Sequence, residues 1–220
     1  KHNTDGSLSS TERQWLQIEK LKANDPLPYV DINGLRQEFG KFTYPLHFID
    51  FETSAVALPF NKGRKPCEQI AFQFSHHTYF EDGRIEHASE YINNKAGFFP
   101  NFEFIRALKD ALMKDEGTIF RYSYHENTIL NAIYEQLLSS GEPDKVELIK
   151  FIQHISHSKS ESITPWTGSR DMVDLWDIVK RFYYNPLTNG SNSIKNVLPA
   201  VLNSSAYIKQ KYSKEIRDCN

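Results

Sequence analysis

Apolar and polar positions near the start of the main part of the chain predict three strands. The first, "LHFIDFE" at 46–52, is a short apolar run, which is typical of a buried strand. The second, "CEQIAFQFSHHTYF" at 67–80, alternates in the way of a half-buried antiparallel strand. Its apolar positions of one parity are Ile70, Phe72, Phe74 and Phe80. The turn signal Asp82-Gly83 then predicts a hairpin into a third strand, "IEHASEYI" at 85–92.

Apolar spacings of three and four residues predict helices after these strands. "FEFIRALKDALMKDEG" predicts a helix that ends at Gly117, and "TIFRYS" at 118–123 predicts a short strand. "HENTILNAIYEQLLSSG" at 125–141 has the clearest helical period, and "DKVELIKFIQHI" at 144–155 predicts another helix. Strands followed by alternating helix and strand favour an α/β fold with a mixed sheet flanked by helices.

The last part of the chain is less regular. "RDMVDLWDIVKRFYY" at 170–184 predicts either a short strand that runs into a helix or a helix throughout. "GSNSIKNVLPAVLN" at 190–203 predicts a capped helix that is interrupted near Pro199, because proline lacks the N–H that a helix interior needs.

The first 43 residues predict a helical extension. Ser9 and Glu12 have the spacing of a capping box, and Trp15, Leu16 and Leu21 follow on one helical face. "NDPLPYV" ends that helix. We therefore predict residues 1–43 to be an N-terminal helical extension and linker and residues 44–220 to be the main domain, truncated at its C-terminus.

Composition narrows the class of protein. A net charge of −2 offers no general basic field, so any binding of nucleic acid must come from a local patch. Cys67 and Cys219 are far apart in sequence, which favours free thiols in a reducing cytoplasm. No apolar run approaches the roughly 18 residues that span a bilayer, so no membrane partner is expected. The opening "KHNTDGSLSS" lacks an initiator Met and indicates a fragment.

Two acids in the first strand are the main chemical signal. Asp50 and Glu52 are two residues apart, so in a strand they project to the same side, about 7 Å apart along the backbone. Burying both would cost several kcal/mol per ion without compensation. Mg²⁺ or Mn²⁺ would offset that cost, since both prefer oxygen ligands. The alternative is a strand that ends at Ile49 and leaves both acids in solvent.

Several segments together resemble a known family. "FIDFET" is similar to the first motif of the DEDD-type 3′–5′ exonucleases, which have a ribonuclease H-like fold. With "IAFQFSHH", "RYSYHENTIL", "MVDLWDIVKRFYY" and "GSNSIKNVLPAVL", it resembles a bacterial domain family of unknown function related to that group, over roughly 44–213. Members of that family often follow a RecB-like nuclease domain, so the resemblance implies such a neighbour in a longer chain.

The resemblance implies which residues of this chain are the carboxylate ligands of the metal. Asp50 and Glu52 match the first pair, and Glu126 stands where the second motif usually has Asp. Ser123 and Glu126 also have capping-box spacing, so Glu126 could instead close a helix N-terminus. Asp174 matches the Asp-Leu pair, and that residue either binds metal or supports structure. The expected fourth acid with its His or Tyr is missing; Asp218 is a weak candidate.

Basic residues and histidines complete the candidates. Lys62, Arg64 and Lys65 follow the acidic strand, and Lys195 begins a late helix; each could contact phosphate or lie in solvent. Alternation places His76 and His77 on opposite faces of their strand, which disfavours a shared metal. The spacing of His154 and His157 fits a surface pair better than zinc.

These observations predict a metal-dependent nuclease. The expected activity is 3′–5′ hydrolysis of phosphodiester bonds in DNA or RNA with two Mg²⁺ or Mn²⁺ ions. The alternative is a catalytically incomplete ribonuclease H-like domain that binds nucleic acid or a protein partner. The choice between DNA and RNA, the strand polarity and the oligomeric state stay open, and the expected location is the cytoplasm.

Overall fold

A computed structural model describes residues 3–4 and 6–212. Asp218 and Cys219 lie outside the described residues. Contacts divide the chain into two compact units, which are residues 42–174 and residues 1–41 with 175–220. The domain division between residues 43 and 44 stays a prediction.

The described part of the chain contains seven strands and eight α-helices, numbered in chain order. The strands are β1 (Tyr29–Val30), β2 (Leu46–Ser54), β3 (Ile70–Tyr79), β4 (Ile85–Ile92), β5 (Ile119–Arg121), β6 (Val173–Asp174) and β7 (Tyr183–Tyr184). The helices are α1 (Ser10–Ala23), α2 (Ile32–Phe39), α3 (Asn101–Leu112), α4 (His125–Leu138), α5 (Lys145–Ile155), α6 (Leu175–Phe182), α7 (Ile194–Ser204) and α8 (Ala206–Tyr212).

The unit of residues 42–174 contains an open, mixed five-stranded sheet in the order β4-β3-β2-β5-β6. The pairs β4-β3 and β3-β2 are antiparallel, whereas β2-β5 and β5-β6 are parallel. The predicted α/β class and the predicted hairpin are confirmed, with Gly83 in the hairpin at a φ of 89°. The strand into helix at 170–184 is also confirmed, since β6 precedes α6.

The core of this unit lies between the sheet and three helices. Buried side chains from β2 and β3 pack against α3, α4 and α5, where Phe104, Leu130 and Ile152 are fully buried. The helical period read in α4 therefore marks its buried face, which includes Ile129, Ile133 and Leu137.

The prediction that α3 ends at Gly117 is wrong, because the helix ends at Leu112. Gly117 instead lies in the approach to β5. A Cβ atom there would meet the Pro45 carbonyl oxygen at 1.9 Å, so the backbone of the segment before β2 leaves no room for a side chain.

The second unit contains α1, α2, α6, α7, α8 and the two-stranded sheet of β1 and β7. The predicted helical face of α1 is exposed, with Trp15 57% and Leu21 79% accessible, and Arg13 is its buried residue. The predicted interruption at Pro199 is also wrong, because α7 continues through it. Proline removes one intrahelical hydrogen bond, and the buried Val197 and Ala200 on either side hold the helix against its neighbours.

The capping box of α1 is confirmed. The Ser9 side chain accepts from the Glu12 N–H, and the Glu12 carboxylate accepts from the Ser9 N–H. We expect Ser9→Ala to lower the free energy of unfolding by about 1 kcal/mol, since it leaves an N-terminal donor unpaired. Urea unfolding followed by circular dichroism measures this. A loss as large in Ser10→Ala, the next residue, would contradict the assignment.

Within residues 3–4 and 6–212, the helices are all too short or too polar to cross a bilayer.

Candidate functional site

Asp50 and Glu52 lie on the exposed face of β2. Along this strand Ile49 and Phe51 are buried, whereas Phe48, Asp50 and Glu52 are exposed. The prediction that the two acids share one side is confirmed. The alternative of a strand that ends at Ile49 is wrong, because β2 continues to Ser54. The predicted burial of this pair is also wrong, because both side chains are exposed and solvent already stabilises their charges.

Glu126 is the buried acid of the site. It lies in the first turn of α4 with 4% of its surface accessible, and its Oε2 atom has no hydrogen-bond partner among the described residues. The capping-box alternative is wrong, because the N-cap is Tyr124 and no side chain caps this helix. A buried carboxylate oxygen without a partner is costly, which makes Glu126 a candidate ligand among the predicted acids.

The surroundings of Glu126 raise its pKa to about 7. Burial is the largest cause, and the negative charges of Asp50 and Asp174 add to it, while the Glu126 backbone N–H and Arg121 oppose it. Three of the four predicted acids are therefore electrostatically coupled. They come from β2, α4 and β6.

Asp174 is paired with a buried arginine. Its Oδ2 accepts from Arg121 Nη1 at 2.9 Å, and its Oδ1 accepts from the Ser123 N–H at 2.8 Å. Arg121 also donates to the Ser123 carbonyl. This arrangement favours the supporting role for Asp174, because it holds the turn between β5 and α4. Sequence reasoning missed Arg121, although a cation at the end of a buried strand was a usable signal.

The site lies at the carboxyl ends of parallel strands. Phe48 of β2 is opposite Phe120 of β5, and Arg121 is opposite Asp174. Asp50 is two residues beyond Phe48, so it extends past that level in the same direction. Open α/β sheets bind ligands in the crevice at this edge.

His125 connects the start of α4 to the end of β2. Its Nε2 atom lies 3.2 Å from Thr53 Oγ1, and the ring is exposed. His125 therefore directly precedes Glu126 in the chain, and its exposed ring contacts the end of the strand that carries Asp50 and Glu52.

The predicted basic residues have different surroundings. Lys62 and Lys65 are exposed in the loop after β2, whereas the Arg64 guanidinium lies 3.3 Å from the centre of the Phe99 ring and pairs with Glu68. Arg64 therefore packs locally. Lys195 is exposed in the first turn of α7, which belongs to the other unit.

The prediction for His76 and His77 is confirmed, whereas His154 and His157 are half-buried and do not form the predicted surface pair. His76 is buried and His77 is exposed, as alternation requires. His154 Nδ1 bonds to Ser169, and His157 Nδ1 bonds to Asp171, so these two histidines have separate partners.

The acids fit a hard divalent cation in chemistry and only partly in arrangement. The unpartnered Oε2 of Glu126 and the exposed Asp50 are oxygen donors of the type Mg²⁺ and Mn²⁺ prefer. Among the residues that the structure describes, no three His, Cys, Asp or Glu side chains are grouped closely enough to hold a metal ion. The four-residue ligand set stays a prediction, and two carboxylates are its best-supported part.

The fold and site define an α/β domain with acidic side chains at the carboxyl edge of a mixed sheet. The chain belongs to the family described as domain of unknown function DUF2779, whose model matches residues 47–193. That match includes Asp50, Glu52, Glu126 and Asp174. Neither a curated protein nor a solved structure matches significantly.

Proposed function

We propose that the unit of residues 42–174 is a metal-dependent phosphodiesterase of nucleic acids. The observation that carries this proposal is Glu126, which is buried, lacks a partner for Oε2 and is coupled to Asp50 and Asp174 at the carboxyl edge of the sheet. A buried acid in such surroundings lowers the stability of the fold when no ligand is bound, and a bound cation would offset that cost.

The sheet supports assignment to the ribonuclease H-like class. Its order β4-β3-β2-β5-β6, with an antiparallel hairpin series followed by parallel strands, has the pattern that the sequence resemblance implies. Under this proposal the activity is that of a 3′–5′ exonuclease on DNA or RNA.

The residues of the chain have distinct roles in this proposal. Asp50 and Glu126 would hold Mg²⁺ or Mn²⁺, which supplies an activated water and neutralises phosphate charge. Arg121 positions Asp174 and the start of α4, and thereby Glu126. The exposed Lys62 and Lys65 are available to the phosphate backbone.

A second candidate is a domain that binds nucleic acid without cleaving it. Two observations favour it: Asp174 is paired with Arg121, and no three acids or histidines among the described residues are grouped closely enough to hold a metal ion. A site with two carboxylates would hold a single cation weakly.

Degradation of end-labelled single-stranded DNA and RNA distinguishes the two candidates. We expect the parent protein to shorten 5′-labelled strands stepwise in Mn²⁺ and to lose this activity in EDTA. Electrophoretic mobility in EDTA measures binding separately. Binding without shortening would support the second candidate. A protein that neither shortens nor binds these strands would contradict both candidates.

Metal binding has its own readout. We expect millimolar Mn²⁺ to raise the melting temperature of the parent by a few degrees, because a ligand of the folded state alone stabilises it. Asp50→Asn should lose most of this shift, while Asp110→Asn, an acid on α3, should keep it. An equal shift in all three proteins would contradict the assigned ligands.

A further inference from the structure

A second titratable cluster lies on the other face of the same sheet. His47 of β2 and His76 of β3 are each 2% accessible, and His47 Nδ1 lies 2.8 Å from His76 Nε2. Two ring nitrogens at this separation share one proton, so one ring donates and the other accepts.

The two ends of the cluster decide which ring donates. His47 Nε2 lies 2.8 Å from Asp115 Oδ1, and an ionised carboxylate can only accept. His47 must then carry its proton on Nε2, which leaves Nδ1 as the acceptor from His76 Nε2–H. The remaining His76 nitrogen, Nδ1, lies 2.9 Å from Ser89 Oγ and accepts from that hydroxyl.

Asp115 is held in its ionised form. Burial acts to raise its pKa, but the Gly117 N–H and His47 hydrogen bonds outweigh this and lower it. Oδ1 also lies 3.3 Å from Nη2 of the buried Arg170, which donates in addition to the carbonyls of Gly117 and Leu112. The acceptor end of the cluster is therefore fixed.

We propose that Ser89, His76, His47 and Asp115 form a one-directional hydrogen-bond relay that acts as an acid-sensitive latch across β4, β3, β2 and the segment before β5. Protonation of His47 puts two N–H groups at the 2.8 Å contact with His76 and breaks it. Protonation of His76 at Nδ1 instead removes the acceptor of the Ser89 hydroxyl and breaks that end of the relay. Because β2 also carries Asp50, the opening of this latch would disturb the acidic site.

The charges around the relay favour its neutral form at ordinary pH. Burial lowers the pKa of His76 to about 4, with contributions from His47, Lys114 and His77, while Asp115 opposes them. Burial also lowers the pKa of His47, against the hydrogen bond to Asp115, and Arg170 adds to the lowering. Thr78 Oγ1 lies 3.3 Å from His76 Nε2 and adds no charge.

Nitrogen NMR of histidine-labelled parent protein at pH 7.5 tests the relay directly. We expect both His47 and His76 to be neutral with the proton on Nε2, assigned by comparison with single His→Gln variants. A proton on Nδ1 of either ring would overturn the proposal. Since the measurement uses the parent, it decides the matter even if a variant fails to fold.

Unfolding by urea between pH 7.5 and 4.5 tests the latch. As the pH falls, His76 takes up a proton in the unfolded chain before it does so in the folded protein. The contribution of His76 should therefore raise the unfolding equilibrium constant of the parent roughly 50- to 100-fold between pH 7.5 and pH 4.5. His76→Gln, which keeps a donor near the Nε2 position, should lack most of that rise. The matched control is His77→Gln on the exposed face, which should retain it. Equal pH dependence in the parent and His76→Gln would overturn the latch.

Discussion

Glu126→Gln is expected to abolish the proposed metal-dependent hydrolysis and, at the same time, to stabilise the protein at pH 8. The glutamine keeps the shape of the side chain but removes the anionic ligand, so the rate in Mn²⁺ should fall roughly 100-fold or more. Removing the charge also removes the cost of ionising a buried acid. Loss of activity with gain of stability distinguishes a functional carboxylate from a structural one.

The sign of the stability change follows from the raised pKa. Glu126 has a pKa of about 7 in the folded protein against 4.5 in the unfolded chain. The stability that protonated Glu126 contributes is fully present below pH 4.5 and is lost as the pH rises through 7. The ionised group therefore costs up to about 3 kcal/mol at pH 8, and Glu126→Gln should recover much of this.

Urea unfolding in EDTA at pH 4.5 and pH 8 measures the effect without metal. The parent and Glu126→Gln should differ little at pH 4.5 and clearly at pH 8. Glu135→Gln, an exposed position on the same helix, is the control and should change neither stability nor activity. A destabilised Glu126→Gln at pH 8 would contradict the unpartnered carboxylate.

Arg121→Gln is expected to destabilise the protein by about 3–5 kcal/mol at pH 8. The Arg121 side chain is 7% accessible and that of Asp174 is 18% accessible, so the substitution leaves a mostly buried acid without its cation. Arg121 also lowers the pKa of Glu126, and its loss should raise that pKa further. The turn between β5 and α4 loses a hydrogen-bonded anchor as well.

A double-mutant cycle separates the charge from the packing. Adding Asp174→Asn to Arg121→Gln should restore part of the lost stability, because the orphaned charge is then gone. The control is Arg84→Gln, since Arg84 also pairs with acids but is exposed, and surface pairs contribute about 0–1 kcal/mol. An equal loss in Arg84→Gln and Arg121→Gln would contradict the burial argument.

Local patterns predicted the elements of the sheet unit well. The strand of 85–92 coincides with β4, and the period read from Ile129 to Leu137 marks the buried face of α4. Such elements can be predicted from sequence because alternation in a strand and spacing in a helix follow from which face of that segment is buried. The predicted helix of α1 is also confirmed, yet Trp15 and Leu21 on its apolar face are exposed, since a pattern indicates an apolar face without showing that anything covers it.

The candidate site was less accessible to sequence reasoning. The sequence predicted that the acid pair in β2 would be buried. Both of these acids are exposed, and the buried acid is Glu126. Its capping-box spacing was misleading because the helix begins at His125 and Ser123 bonds to Asp174 instead. The sequence placed Arg121 at the end of a buried strand, but its pairing with Asp174, 53 residues away, appears only in the folded sheet.

The sequence by itself determined an α/β chain with acids at the ends of three segments, and its motifs assign it to a family. Tertiary structure decided which carboxylate is desolvated, which is paired with a cation, and how His47 meets His76. Desolvation and charge coupling depend on segments distant along the chain that meet only in the folded sheet. A residue's type and its neighbours in sequence do not contain that information.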